Sequence, residues 1–205
     1  MIFDRSIKNW QSAGMARPRK FDADAAVEAA METFWTKGYT ATSTDDLING
    51  AGMLRGSLYN AFGSKRRLFE LALHRYRDKG AAGQNAIQAD RPPLERIRWL
   101  MLSGVDRTVA DRRGCLAVNT VTELAGAEPE LSALARQCFT QLEAALVEAI
   151  EDGRVQGEIR ADRPARLLAR QVMSAFHGLL VQAKAGYDPG SLHETVDAVV
   201  ADLRA

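Results

Sequence analysis

The chain has 205 residues, with 27 Lys or Arg and 26 Asp or Glu, so its formal net charge is only +1. This length accommodates one compact helical unit or two small domains. No run of about 18 apolar residues occurs, which excludes a membrane-spanning helix, and residues 1–14 lack the apolar centre of a secretion signal, so we expect a cytoplasmic protein.

Positive charge is concentrated in the N-terminal part. Residues 1–80 carry 13 Lys or Arg and 9 Asp or Glu, a net charge of +4, whereas the remainder carries −3. A basic end of this kind favours attraction to phosphate. Residues 1–20 are predicted to be a flexible basic extension, with a natural start at Met15. Arg17 and Arg19 could enter a DNA minor groove as homeodomain arms do, or could belong to a solubilising tail.

Three short helices are predicted next. Asp22 or Asp24 can cap the first, which ends at Gly38. The second begins at Ser43 or Thr44, because Asp46 follows Ser43 at capping-box spacing, and Gly52 can end it. A third helix must begin within two residues. Two short helices joined by a glycine-bearing turn predict a helix-turn-helix, whose second helix lies in the DNA major groove.

Helical spacing divides the third helix into two faces. The inward face has Leu54, Leu58, Ala61 and Phe62. The outward face has Arg55, Gly56, Tyr59 and Asn60, with Ser57 at its margin. Guanidinium and amide groups pair with base edges, phenol and hydroxyl groups donate to phosphate, and glycine permits close backbone approach. The outward face therefore predicts DNA contact.

A basic turn begins the fourth helix. Gly63 ends the third helix, and Ser64 can cap a helix whose first turn has Lys65, Arg66 and Arg67. Cations oppose the dipole at a helix N-terminus, and a bound phosphate would explain them. A solvated basic turn balanced by acids elsewhere is the alternative. Beside the predicted recognition helix, we favour phosphate.

Residues 21–70 resemble the N-terminal DNA-binding domain of the TetR family of transcriptional regulators. The resemblance rests on Phe34, Gly38, Tyr39, residues 42–46, Ala51, Gly52, residues 56–59, Phe62, Ser64, Lys65, Leu68 and Phe69. It implies an all-α homodimer, with a three-helix head for double-stranded operator DNA and a larger helical body that binds a small effector and dimerises.

The resemblance also implies roles for individual residues and a division of the chain. Phosphate contacts are implied for Thr42, Thr44, Tyr59 and Lys65, and groove contacts for Arg55, Ser57 and Asn60. We expect residues 21–66 to form the DNA-binding domain and residues 67–205 to form the effector-binding and dimerisation domain, with about nine helices in all. The function expected is that of a ligand-responsive repressor; the alternative is a protein of this fold that binds ligands or partners without operator DNA.

The body is predicted to be helical throughout. After the fourth helix, helices are expected from about Pro93 to Asp111, Cys115 to Leu124, Pro129 to Gly153, Pro164 to Gly186, and Ser191 to the end. The last two have an apolar stripe wider than one monomer core needs, made of Leu167, Leu168, Val172, Met173, Phe176, Leu179, Leu180, Ala183, Val196, Val199, Val200 and Leu203. This width predicts a dimer through a four-helix bundle.

An effector pocket is expected among the fifth to eighth helices, because such pockets combine large apolar groups with few polar ones. The apolar and weakly polar candidates are Trp99, Leu102, Val118, Thr122, Phe139, Met173, Phe176 and His177, and the polar candidates are Asn119 and Glu123. Each could instead be ordinary core.

Chemistry beyond binding is sparse in this sequence. Cys115 follows two arginines at a predicted helix start, where a thiol pKa falls, so it is a candidate electrophile- or oxidant-sensing residue of the effector site; a small buried apolar residue is the alternative. The two cysteines suit a reducing compartment. No metal-ligand spacing, catalytic cluster or phosphate-binding loop occurs, so we expect no cofactor, no metal and no enzyme activity.

Overall fold

The structure of the protein is a computed structural model, which describes residues 22–52, 55–88 and 91–205. These residues form nine α-helices: α1 (Ala23–Lys37), α2 (Thr44–Ala51), α3 (Arg55–Phe62), α4 (Lys65–Gln88), α5 (Pro93–Asp111), α6 (Leu116–Leu124), α7 (Pro129–Val155), α8 (Ala165–Ala185) and α9 (Pro189–Ala201). The all-α fold class is confirmed. None of these nine helices has the length and apolar character needed to cross a membrane.

The helix boundaries of the head follow from its capping residues. The Asp22 carboxylate accepts hydrogen bonds from the first backbone N–H groups of α1, and Gly38 ends that helix with a φ of +83°. At α2, Ser43 Oγ accepts from the Asp46 N–H at 3.1 Å, while the Asp46 carboxylate accepts from the Ser43 N–H at 2.8 Å. This reciprocal pair is the capping box that the sequence predicts.

An aromatic core holds the head together. Phe34 is fully buried and Phe69 nearly so, with their ring centroids 4.7 Å apart in an edge-to-face arrangement. Leu47 of α2 and Leu58 of α3 are buried in the same cluster. Residues of α6 and α7 also belong to it, so the body completes the core of the head.

The inward orientation predicted for one residue of α3 is wrong. Ala61 is exposed, because it lies at the edge of the arc around Leu58 and this eight-residue helix packs through Leu58 and Phe62. Leu54 lies outside the described residues.

The body packs around α5, α7, α8 and α9. Met101 of α5 and Leu168 of α8 are fully buried in this second core. A Cβ added to Gly104 would lie 2.5 Å from Cζ of Phe176, so glycine permits α5 and α8 to approach closely at this point.

The predicted apolar stripe of the last two helices serves two purposes. Much of the stripe belongs to the chain's own core, since Val196 and Val200 of α9 are buried within the monomer, as are Leu168 and Val172 of α8. On α8, Leu167 of the stripe remains 46% exposed, and Val181, which was not predicted to belong to it, is 54% exposed. The surplus apolar surface therefore lies on α8.

Acidification is predicted to weaken the head through Asp46. Hydrogen bonds from Lys37 and then Ser43 lower the pKa of Asp46 from 3.8 to about 2. Because the folded pKa lies below the unfolded value, this stabilisation is present above about pH 4 and is lost as the pH falls toward 2. We expect the free energy of unfolding of Asp46→Asn, measured by urea unfolding, to depend less on pH in this window than that of the wild type. Asp45→Asn controls for the loss of one charge in the same turn, and identical pH slopes for wild type and Asp46→Asn would contradict the assignment.

Candidate nucleic-acid interface and effector cavity

The outward face of α3 is exposed, as the helical spacing predicts. Leu58 is 1% exposed and anchors the helix, whereas Tyr59 retains 46% of its surface and Arg55 and Asn60 are also exposed. Gly56 lies on the same side, and a Cβ added there would meet no atom within 4 Å. The face presents a cation, an amide, a phenol and uncovered backbone, which are groups that contact bases and phosphates.

The beginning of α2 extends this face. Thr44 Oγ1 lies 3.3 Å from Tyr59 Oη, and a terminal nitrogen of Arg55 lies 2.5 Å from Asp45 Oδ1. Both members of that ion pair are more than half exposed, so it stabilises little and can open to a phosphate or base. We name the combined set the α3 surface: Thr44, Arg55, Gly56, Tyr59 and Asn60.

The prediction that the Thr42 side chain contacts phosphate is wrong. Thr42 is 2% exposed, and its hydroxyl donates to the Gly38 carbonyl oxygen at 2.6 Å. This bond closes the turn between α1 and α2, so the residue supports the surface from within. Arg17, Arg19 and the side chain of Ser57 lie outside the described residues, and their DNA contacts stay predictions.

In the basic first turn of α4, Lys65 contacts the head and Arg66 contacts the body. The Lys65 ammonium lies 4.6 Å from the centroid of the Tyr39 ring and donates to the Thr40 carbonyl at 3.4 Å, and burial lowers the pKa of Lys65. Arg66 points to the body, where it pairs with Glu128 at 2.7 Å. The turn's charge is therefore partly explained by acids of the body, the alternative that the sequence left open.

A cavity of about 350 Å³ lies where α1, α4, α5, α7 and α8 meet. Five residues expected at the effector site line it: Trp99, Cys115, Phe139, Phe176 and His177. The Phe139 and His177 rings are 4.9 Å apart. A cavity of this volume, with several aromatic rings in its wall, has the properties of a small-molecule site.

Six other expected effector residues lie outside the cavity lining: Leu102, Val118, Asn119, Thr122, Glu123 and Met173. Leu102 and Met173 pack against the body core. Thr122 is exposed and its hydroxyl donates to α6 carbonyls. For the four residues of α6, the reason is the direction of that helix, because its N-cap residue Cys115 lines the cavity while the helix runs toward the head.

Asn119 joins parts of the body instead of binding an effector. Its side-chain nitrogen donates to the Arg113 carbonyl at 2.9 Å, and its side-chain oxygen accepts from the Lys184 ammonium at 3.1 Å. Both ends of the amide therefore have partners, one before α6 and one on α8.

Glu123 binds the head. Its carboxylate accepts from the backbone N–H groups of Tyr39 at 3.0 Å and Thr40 at 2.6 Å. Burial raises the pKa of Glu123, but these hydrogen bonds outweigh burial and leave the pKa below its usual value. A Cβ on Gly38 would lie 2.9 Å from Glu123 Oε2, so glycine is needed there for both its positive φ and this close approach.

Sequence reasoning missed the contribution of the head to the cavity. Trp35 of α1 lines it, and its indole N–H donates to the Gly114 carbonyl at 3.1 Å in a buried bond. The Trp35 ring meets the Tyr76 ring edge-on at 5.0 Å, and the Tyr76 hydroxyl donates to Cys115 Sγ at 3.4 Å. Trp35 follows Met31 by four residues, and this helical spacing could have placed both residues on the buried face of α1.

Three of the titratable groups that line the cavity have pKa values shifted toward the neutral form. Burial raises the pKa of the Cys138 thiol to about 11 and raises the pKa of Tyr76 well above its ordinary value. Burial also lowers the pKa of His177. At neutral pH these side chains are therefore a thiol, a phenol and an uncharged imidazole.

The arginines expected to activate Cys115 have other partners. Arg112 donates to the Ala183 carbonyl at 3.3 Å. Arg113 pairs with Asp111 at 2.9 Å and with Glu32. Cys115 itself is half-buried at the cavity wall, so access to that cavity, and not these two cations, is the basis for any reactivity.

Two family models cover the head and most of the body. Residues 26–72 match the model described as "Bacterial regulatory proteins, tetR family", and residues 93–199 match "Tetracyclin repressor-like, C-terminal domain". The chain belongs to the TetR family. YezE of Bacillus subtilis (strain 168), an uncharacterized HTH-type transcriptional regulator, is 31% identical over 193 residues, which cover 92% of this chain and 100% of YezE. The Escherichia coli (strain K12) repressor ComR is 28% identical over 83% of each chain.

Solved TetR family structures share the arrangement of head and body. A cysteine mutant of the regulator CifR, in complex with a 26-bp double-strand operator DNA, matches with a TM-score of 0.79 and 30% identity over 92% of this chain and 100% of that chain. The reduced form of Escherichia coli NemR matches with a TM-score of 0.76 and 18% identity over 89% of this chain and 96% of its own, a similarity of fold alone.

Replacing Glu123 by glutamine is predicted to loosen the head from the body. A glutamine side chain has one acceptor oxygen, so its NH₂ group would face one of the two N–H donors. We expect a loss of about 1 kcal/mol of local stability, after allowance for solvent exposure, seen as faster amide hydrogen exchange at residues 38–42. Glu148→Gln, on the exposed side of α7, is the matched control, and unchanged exchange in Glu123→Gln would refute the anchoring role.

Proposed function

We propose that the protein is a ligand-responsive transcriptional regulator, a repressor that binds a pseudo-palindromic double-stranded operator as a homodimer. A small molecule, or modification of a thiol, releases it. It acts in the cytoplasm by binding and not by catalysis. The observation that carries the proposal is the α3 surface, whose exposed polar groups lie opposite the buried Leu58. ComR and BdcR are named as repressors, and the CifR structure contains operator DNA.

The proposed division of labour places DNA binding in residues 21–66 and effector binding and dimerisation in residues 67–205. The cavity couples the two parts, because α1 of the head and α4 both line it. A ligand that binds one arrangement of α4 more tightly shifts the equilibrium toward that arrangement. The spacing of the two α3 helices in the dimer then changes, and affinity for the paired half-sites falls.

Dimerisation is proposed through the last two helices, with α8 as the main contact. Leu167 and Val181 lie on one face of α8, four turns apart, and both are exposed. Gly178 lies between them on that face, and a Cβ added there would meet no atom within 4 Å. Two exposed apolar side chains, with a glycine one turn before Val181, permit close packing of α8 against a second copy.

A TetR-fold protein that binds small molecules or partners without operator DNA is the competing function. One measurement distinguishes the two functions: binding to DNA fragments from beside the protein's own gene. The α3 surface favours the regulator, because a tyrosine, an arginine and an asparagine are exposed on one helix face. The partners of Arg55 and Tyr59 belong to the same surface region, so these contacts can open to DNA.

Loss of the α3 surface is predicted to weaken operator binding. Tyr59→Ala and Asn60→Ala should each lower affinity by about 1–3 kcal/mol, because each removes a contact to phosphate or base. Fluorescence anisotropy with labelled operator measures this change. Tyr187→Ala, which removes an equally exposed tyrosine from the body, should bind as the wild type does, and unchanged affinity in both α3 variants would remove the assignment.

Lys65→Ala is predicted to weaken binding to all DNA sequences alike. A lysine that contacts phosphate contributes to the release of counterions, so its removal should reduce the slope of log affinity against log salt concentration by about one. Lys184→Ala, a lysine removed from the body surface, is the control. Equal salt slopes for Lys65→Ala and the wild type would contradict a phosphate contact.

Thiol-dependent release is predicted to require Cys115 and not Cys138. Both thiols line the cavity, but burial keeps Cys138 protonated, with a pKa of about 11. Addition of a quinone should therefore release operator DNA from the wild type and from Cys138→Ser, and should leave Cys115→Ser bound. Equal release from Cys115→Ser and the wild type would reject Cys115 as the sensor.

A further inference from the structure

Most of the charged side chains that line the cavity are paired with an opposite charge. Four charged side chains line it, and three of them have an opposite charge within ion-pair distance: Glu32 pairs with Arg113, Arg77 with Asp78, and Lys79 with Glu28. These pairs contribute little net charge to a ligand's surroundings.

Arg107 of α5 is the exception among these four, because no carboxylate of the described residues lies within ion-pair distance of it. Its guanidinium carbon lies 5.4 Å from the centroid of the Trp35 ring, and the residue is exposed at the rim. Its charge is near enough to oppose the rise in the pKa of Tyr76. The rim of the cavity therefore carries one uncompensated positive charge beside two aromatic rings.

Among the described residues that line the cavity, Glu32 is the one carboxylate, and it is already paired with Arg113. His177 and Cys138 are neutral near pH 7 for the reasons given above, and the Ser103 hydroxyl already donates to the Leu100 carbonyl at 3.1 Å. The Tyr76 hydroxyl proton is directed to Cys115 Sγ. A ligand would therefore find aromatic surface inside and a guanidinium at one end, and a cationic ligand would be repelled.

We propose that the cavity binds an anionic aromatic small molecule, whose rings pack against the Trp35, Tyr76, Trp99 and Phe139 side chains and whose negative group pairs with the Arg107 guanidinium. This inference rests on the proposed function, since it assigns a chemical class to the effector of the same site. It also gives the ligand a direct contact with α1 of the head, because Arg107 and Trp35 are adjacent.

Two fluorescent probes test the ligand class directly. Anilinonaphthalene sulfonate and phenylnaphthylamine share the same two aromatic groups and differ in the sulfonate alone. We expect the wild type to bind the sulfonate about tenfold more tightly than the neutral probe, as a charge-assisted hydrogen bond allows. Arg107→Gln should abolish most of this preference and leave affinity for the neutral probe unchanged.

The control variant is Arg98→Gln, which removes a cation from the same helix. Arg98 pairs with Asp197 at 2.7 Å and does not line the cavity, so this variant should keep the wild-type preference. Equal affinities of the wild type for the two probes, a preference that survives Arg107→Gln, or absence of binding by either probe would each overturn the proposal.

Operator binding, measured in parallel without probe, separates this proposal from the proposed function. Intact operator binding without preference for the sulfonate overturns the ligand class alone. A clear preference for the sulfonate in a protein that binds no operator overturns the proposed function and supports the ligand class.

Discussion

The orientation of α3 depends on the aromatic core of the head. Phe34, Tyr39 and Phe69 form a continuous cluster of rings with centroids 4.7 to 6.1 Å apart, and Leu58 is buried in the same core. Exposing a leucine side chain costs about 2 kcal/mol, so α3 has one strongly preferred rotation about its axis. That rotation presents Tyr59 and Asn60 to solvent. The polar surface exists because the opposite face of an eight-residue helix is fixed by packing.

The head is not independent of the body, because α1 contributes to both. One side of α1 belongs to the head core, while Trp35 lines the cavity and bonds to the connection that precedes α6. At its other end, α6 returns to the head through Glu123 and the backbone of Tyr39 and Thr40. A nine-residue helix thus joins the cavity wall at Cys115 to the turn that positions α2. Occupancy of the cavity and position of the head are therefore linked by short, identifiable contacts.

The sequence predicted the elements well and the tertiary roles of polar residues poorly. Capping residues and glycines placed the helices of the head closely, since Asp22, Ser43 and Gly52 act through local geometry. The rotation of α3 followed from periodicity, except at Ala61, which lies at the edge of the arc. Asn119 and Glu123 were misassigned because they bond to a distant lysine and to backbone of the head, and such partners depend on how helices cross. Thr42 was misassigned because its hydroxyl bonds within its own turn, to the Gly38 carbonyl. Trp35 was missed for the same reason, since the wall of the cavity is made where head and body meet.

Hydroxyl-radical footprinting of the protein measures whether the outward side of α3 lies against operator DNA. Tyr59 and Tyr187 are comparably exposed, at 46% and 58%, and one lies on α3 while the other lies on the body just after α8. The account predicts that saturating operator DNA strongly protects Tyr59 from oxidation and leaves Tyr187 as reactive as in the free protein. Unchanged reactivity of Tyr59 in a complex shown to be saturated would contradict it.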